Sequence, residues 1–135
     1  MANSRKKPLE STCPCGSLLT YEQCCQRWHN QANGLYAPDA ETLMRSRYSA
    51  YVLNHLPYLL ATWHHSTRPS DLEPNPPNLK WLGLSIRSHQ TLSTTQAEVE
   101  FVARHRLDGK ATRLHERSRF VYENGQWFYL DGIFL

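Results

Sequence analysis

The chain has 135 residues, 40% hydrophobic, 11% aromatic and 20% charged, which suits one domain with a small appendage and excludes the sparse, highly charged composition of disordered chains. A formal charge of +3 falls short of the strongly basic balance of a dedicated nucleic-acid binder. The basic run Arg5, Lys6 and Lys7 reads as a solvated, frayed end without a specific role. Pro8, Glu10, Ser11 and Thr12 follow it where a secretory signal would need an apolar run. Tyr51 to Trp63, interrupted by Asn54, His55 and Pro57, is too broken to span a membrane. The expectation is a soluble, cytoplasmic protein whose thiols stay reduced.

All four cysteines lie between positions 13 and 25, in the pattern Cys13-Pro14-Cys15-Gly16, eight intervening residues, then Cys24-Cys25. A disulfide framework would spread its cysteines through the chain, whereas two close pairs joined by a short loop suit one tetrahedral ion. Zinc favours four sulfur or nitrogen donors, and local pairs limit the chain entropy lost when the cage closes. Gly16 lets the backbone turn sharply beside a thiolate. Ser17 or Thr20 is placed to cap a helix from Tyr21 to about Trp28, with Tyr21 and Trp28 covering the site. On that helix Cys25 and His29 share a face, so His29 competes as substitute for the fourth ligand, with Cys25 preferred. A vicinal Cys24–Cys25 redox pair and inert buried cysteines are the other readings; strain and the Cys-x-Cys spacing disfavour the first. Four protein ligands leave no position for water, so one zinc ion here holds structure and does not catalyse.

This segment resembles the SEC-C motif, the zinc-binding tail of the SecA translocation ATPase that is attached to many bacterial proteins. The resemblance maps the motif's ligands onto Cys13, Cys15, Cys24 and Cys25. Leu18, Leu19 and Thr20 stand where the motif usually has glycine and lysines, so the basic surface by which some such tails engage acidic partners or ribosomes is not reproduced.

Asn33-Gly34 and Pro38-Asp39 place a boundary near 34 to 38, dividing a module at 1–34 with a disordered start from a domain at 35–135. Beyond it, Leu43, Met44, Tyr48, Tyr51 and Val52 recur at helical spacing, predicting an amphipathic helix capped by Asp39 and reaching about Asn54. A second helix should follow Pro57 with Tyr58, Leu59, Leu60 and Trp63, before four prolines between 68 and 77 break regular structure. The period then changes to two, predicting strands at 80–88, 97–106, 111–123 and 126–134 with hairpin turns at Asp108-Gly109 and Asn124-Gly125. The fold class is α+β, with helices packed on one face of a curved four-stranded antiparallel meander. Alternation puts Val99, Phe101, Ala103, Leu114, Glu116, Ser118, Phe120 and Tyr122 on the apolar face, and Val102 with the charged residues opposite. A carboxylate at 116 needs a partner there, and Arg45 or Arg47 is the expected one.

Residues 43–51, 59–64, 116–120 and 127–132 resemble the YchJ family of small bacterial proteins, so that with the cysteine segment the likeness covers most of the chain. It implies a SEC-C motif on a cystatin-like or nuclear transport factor 2-like cone and brings no assigned activity. A cone encloses space between helices and sheet, making Arg45, Arg47, Tyr48, Trp63, His64, Glu116, Arg119 and Asp131 the pocket candidates. His64 reads as a general base or as a partly buried helix-end histidine, with the second favoured. The arginines with Glu116 read as a structural ion-pair network or an anion site, with the first favoured. Trp81 and Trp127 read as core aromatics.

Three functions follow. The leading one is a zinc-stabilised binding or adaptor protein whose module engages a protein or ribonucleoprotein. The alternative is a small-molecule receptor or an isomerase, dehydratase or hydrolase using the cone; no nucleophile-and-base motif, phosphate loop or open metal triad supports it. The third is a thiol sensor that releases zinc on oxidation of an accessible cysteine cluster. Oligomeric state is open; similar cone domains dimerise through the outer face of the sheet.

Overall fold

A computed structural model describes residues 12–31 and 34–135. The basic run, the start of the amino-terminal module and Asn33 lie outside the described residues. Among the described residues three helices, α1 (Gln26–His29), α2 (Ala40–Val52) and α3 (Leu56–Ala61), precede four strands, β1 (Leu79–Thr91), β2 (Gln96–Leu107), β3 (Lys110–Glu123) and β4 (Gln126–Phe134). The strands form one antiparallel sheet in the order β1-β2-β3-β4. Asp108 and Gly109 have φ of 51° and 82°, and Asn124 and Gly125 54° and 84°, the two positive values that a two-residue hairpin turn requires to match strand twist. Strand β1 is longer at both ends than its alternation suggested, because its pairing with β2 runs from Leu79–Leu107 to Thr91–Ala97 through two register shifts. No described helix is long and apolar enough to cross a membrane.

Asp39 caps α2 from an extended backbone, its side chain accepting from the Thr42 N–H at 2.8 Å, and so satisfies one of the unpaired donors of the first turn. The helix stops at Val52; Asn54 takes a φ of 57°, and the His55 N–H closes back on the Ala50 carbonyl at 2.8 Å. Pro57 falls in the first turn of α3, where its missing N–H costs nothing, so the helix begins at Leu56, one residue ahead of the proline. Trp63 lies past its end. There the chain pairs with the outer strand: the Tyr129 N–H donates to the Thr62 carbonyl and the His64 N–H to the Tyr129 carbonyl, both at 2.8 Å. These bonds cover part of an otherwise open sheet edge.

The core joins Leu43, Met44, Tyr48, Tyr58 and Leu59 to Val99, Phe101, Ala103 and Phe120 on the sheet. Val102 departs from the charged character of its face: it is fully buried, set in register between Ser85 and His115, whose side chains flank it. A second departure is on α2. Periodicity gave this helix one apolar stripe, yet Ser46 and Ser49 are fully buried as well, because the cysteine segment packs on the side facing away from the sheet.

The expected ion pair to Glu116 does not form. Arg47 is 2% exposed and donates from Nη1 to the Leu59 carbonyl and Thr62 Oγ1, both at 2.8 Å. Its guanidinium lies over the rings of Tyr129 at 4.6 Å and Trp63 at 5.1 Å, a desolvated cation held by aromatic faces. Arg45 pairs with Glu41 at 3.2 Å and donates to the Cys15 carbonyl at 3.0 Å. Glu116 accepts instead from Ser118 at 2.7 Å and Tyr129 at 3.2 Å. Its carboxylate fills the place a side chain would take at Gly132, where an added Cβ would meet Glu116 Cδ at 2.8 Å and the Arg117 carbonyl at 3.1 Å.

Candidate metal centre

A bridge between Thr12 and Thr20 closes the loop that carries Cys13 and Cys15, and the Cys13 N–H donates to the Leu19 carbonyl at 2.8 Å. At the tip the Gly16 N–H bonds the Cys13 carbonyl at 3.2 Å with φ of 86°, the conformation for which glycine has least strain. Leu18 also adopts a positive φ, 74°. The predicted helix from Tyr21 reduces to α1. Thr20 to Cys25 is a series of turns, in which the Cys24 and Gln26 N–H groups both donate to the Tyr21 carbonyl at 3.0 Å. The five-residue reach from Tyr21 to Gln26 breaks α-helical spacing and puts Cys24 and Cys25 ahead of the helix, so that both sulfurs point to the same centre.

The four Sγ atoms all lie within 4.8 Å of one another, with Cys15 and Cys24 at 3.6 Å and Cys24 and Cys25 at 4.0 Å. Tetrahedral zinc with Zn–S bonds of ~2.3 Å requires sulfurs roughly 3.8 Å apart, so this donor set fits that ion. The cysteines are buried, none more than 8% exposed, which removes the premise of an accessible thiol sensor. Crowding sets their proton chemistry. Hydrogen bonds from Cys15 and Cys25 hold the Cys13 thiol far below its ordinary range, while Cys25, bonded to Cys13 and then Cys15 and desolvated, is pushed far above it. Cys15 also rises, first through its bond to Cys13. Negative charge is thus favoured on Cys13 and disfavoured on Cys15 and Cys25. Four thiolates at these distances would need a cation between them.

The surrounding donors tie the cluster to α2. Ser17 Oγ donates to Cys24 at 3.1 Å, Ser49 Oγ donates to Cys25 at 3.3 Å, and Cys13 Sγ lies 3.4 Å from the same hydroxyl. His29, 6% exposed, has both nitrogens engaged: Nε2 donates to the Ser46 carbonyl at 2.7 Å and Nδ1 accepts from the Tyr21 hydroxyl at 2.6 Å. Burial holds its pKa below the ordinary imidazole value, keeping it neutral. Its ring is thus a bridge between segments, with no lone pair left for the role of substitute ligand. The Tyr58 hydroxyl donates at 2.7 Å to Ser46 Oγ, which donates on to the Leu43 carbonyl at 2.7 Å, completing a satisfied polar network between the cysteine segment and both longer helices.

The pocket candidates separate. A cavity of about 270 Å³ opens between α2 and the sheet, lined by Tyr48, Tyr51, Trp81, Phe101, Glu116 and Phe134 among others. Arg47 borders a 70 Å³ extension shared with Glu116 and Tyr129. Trp63 lies under the Arg47 guanidinium and meets Tyr129 edge to face, and lines neither space. Arg45 serves the cysteine segment. Arg119 and Asp131 pair at 2.6 Å as exposed side chains on adjacent strands; the guanidinium holds the Asp131 carboxyl below its ordinary range. His64 contacts Glu123, away from the cavity. The residues that sequence reasoning missed are Ser46 and Ser49, which lie off the apolar stripe, and Tyr51 and Phe134, read only as part of that stripe and of the last strand.

A cysteine knuckle seated on a helix-backed antiparallel sheet defines the class: a SEC-C motif joined to a nuclear transport factor 2-like domain. The SEC-C motif matches residues 11–27, and the YchJ middle NTF2-like domain matches residues 39–132. A UPF0225 protein of Bordetella parapertussis is 60% identical over 129 residues, covering 94% of this chain and 97% of its own. Two solved SEC-C proteins share the fold. That of Rhodopseudomonas palustris has a TM-score of 0.77 at 30% identity, over 91% of this chain and 98% of its own. That of Psychrobacter arcticus has 0.75 at 31%, over 89% and 80%. The chain belongs to the YchJ family of UPF0225 proteins.

The bonding of His29 has a direct consequence. His29→Phe should lower stability to denaturant by about 1–3 kcal/mol for each buried partner left unpaired, while metal content measured by elemental analysis stays at the wild-type value. Loss of metal without loss of stability would instead make His29 a ligand.

Proposed function

We propose that Cys13, Cys15, Cys24 and Cys25 hold one structural zinc ion, and that the protein is a cytoplasmic binding or adaptor protein whose SEC-C module engages a protein or ribonucleoprotein partner. The observation that carries the first part is the convergence of four buried sulfurs at spacings suited to a tetrahedral ion. The ion, when bound, supplies charge neutralisation for thiolates that cannot otherwise share so small a volume. The chain supplies the orienting donors, the Ser17 and Ser49 hydroxyls. Free cysteines throughout accord with a reducing compartment.

Support for the second part comes from the module's outer side. Leu18 is 84% and Leu19 48% exposed, at the tip of the loop that the sulfurs close. Beside it an open groove of about 550 Å³ runs past Pro14, Tyr21 and Gln26 to Leu53 at the end of α2. Exposed apolar side chains on a cross-linked loop fit partner recognition, because little ordering entropy remains to be lost on binding. Protein purified without chelators should contain one zinc per chain; far less than one equivalent contradicts the metal assignment. In affinity capture, Leu18→Asp with Leu19→Asp, and separately Cys13→Ser with Cys15→Ser, should lose the partners that wild type retains. Recovery of the same partners by all three contradicts the adaptor reading.

The cavity favours a second reading, a small-molecule receptor or an isomerase, dehydratase or hydrolase. Aromatic walls and a carboxylate anchored by Ser118 and Tyr129 are a common composition for ligand sites. A metabolite that occupies it should raise the unfolding temperature of the intact chain, and Glu116→Gln should abolish that rise. The same rise in Glu116→Gln, or none with any compound tested, counts against this reading.

A further inference from the structure

We propose that His64, His65 and Glu123 form a second metal site, distinct from the cysteine cluster, for a late first-row divalent cation with water completing its coordination. One ring nitrogen from each histidine and a Glu123 carboxylate oxygen lie within 4.8 Å of one another. His64 Nε2 is 2.8 Å from Glu123 Oε1 and His65 Nε2 is 3.7 Å from Oε2. Donors about 2.1 Å from one ion stand roughly 3.0 to 3.4 Å apart, so the three need only a small closure.

Their backbones are fixed by different elements. The His64 N–H is bonded to the Tyr129 carbonyl at 2.8 Å. Glu123 is the last residue of β3, paired with Gln126 across the hairpin turn. The two imidazoles follow one another in sequence with centroids 4.3 Å apart and planes inclined by 31°, so both present an edge to the same carboxylate. Contacts around His64 complete the arrangement. Its Nδ1 faces Ser66, 2.7 Å from Oγ and 3.2 Å from the backbone N–H, and Phe128 packs edge-on at 5.9 Å. A metal-bound histidine is normally oriented through its second nitrogen, and Ser66 Oγ is placed for that role. In the metal-free form Ser66 donates to Nδ1 and Nε2–H donates to Glu123. A metal on Nε2 would need the imidazole proton on Nδ1, with the serine hydroxyl turned to accept it and the Ser66 N–H, which donates to Nδ1 at 3.2 Å in the metal-free form, shifted off that nitrogen; no net proton would be released.

Two imidazoles with one carboxylate select zinc, nickel or copper(II) over magnesium or calcium. Three protein donors leave coordination positions for solvent, the pattern of sites that handle small ligands, unlike the closed four-sulfur cluster. Solvent has access, since the side chains of His64, His65 and Glu123 are 13%, 69% and 43% exposed. The site sits near the pairing of residues 62–64 with β4, where no other cysteine, histidine or acidic group joins the cluster among the described residues.

Isothermal titration of full-length protein, its zinc content first measured, with nickel(II) tests the assignment. Wild type should take up one nickel per chain without displacing the zinc. His65→Ala, whose exposed side chain makes no hydrogen bond to the core, should weaken that uptake at least tenfold, as should Glu123→Gln, and Ser66→Ala should weaken it less. No nickel uptake by wild type, or uptake unchanged in both His65→Ala and Glu123→Gln, overturns the proposal.

Discussion

Four sulfurs share a volume less than 5 Å across against the side of one helix that faces away from the sheet, and three buried polar residues, His29, Ser46 and Ser49, tie that helix to the segment that carries them. A helix packed only on a sheet has room for polar residues on its far side, exposed to water. Here that side carries Ser46 and Ser49, both fully buried, because the knuckle lies over them. Both hydroxyls are small enough for close approach: that of Ser49 donates to the Cys25 sulfur, that of Ser46 donates to the Leu43 carbonyl, and the Ser46 carbonyl accepts from His29 Nε2. Larger apolar residues at these positions would push the knuckle away; larger polar ones would bury unsatisfied atoms. The amino-terminal segment is accordingly part of the packing of α2.

The other side of α2 solves a different problem. Arg47 is a cation held inside the core by ring faces and two oxygens, while Glu116 is an anion held by two hydroxyls across the cavity. The charges sit near each other without direct pairing. Burial depresses the Arg47 pKa, opposed by nearby tyrosines and Glu116, yet guanidinium remains charged in proteins. Tyr129 links the two, its ring under the guanidinium and its hydroxyl on the carboxylate, and burial raises its own pKa. A small space bounded by both charges and by aromatic walls is thereby kept between helix and sheet.

The sequence was legible where local chemistry decides the outcome. Two Asx-Gly pairs announced two of the three hairpins, Asp39 announced its cap, and alternation in β2 and β3 assigned the core face as far as Phe120, beyond which Tyr122 is exposed. Cysteine spacing brought the four thiols together before any coordinates. What could not be read depended on contacts distant in sequence. Helical periodicity cannot show that Ser46 and Ser49 will be covered by residues 17 or more positions earlier. Nor can it show that an arginine will prefer rings and carbonyls to the nearest expected carboxylate. The short reach of the turns from Thr20 to Cys25 misled in the opposite direction: a helix was expected where closing the sulfur cluster demands tighter, irregular backbone. Glu123 lies almost sixty residues from the adjacent His64 and His65, and the pairing of residues 62–64 with β4 brings it within their reach.

If the sulfurs close around an ion and the knuckle is part of the packing of α2, removing the metal must loosen that helix as well as the knuckle. Amide hydrogen exchange across residues 43–52, compared before and after chelation of the purified protein, reads this directly. The account predicts a clear loss of protection over Ser46 to Ala50, together with the knuckle and ahead of the hairpin strands β2 and β3. Protection of α2 unchanged by complete zinc removal, with faster exchange confined to residues before 30, would contradict it.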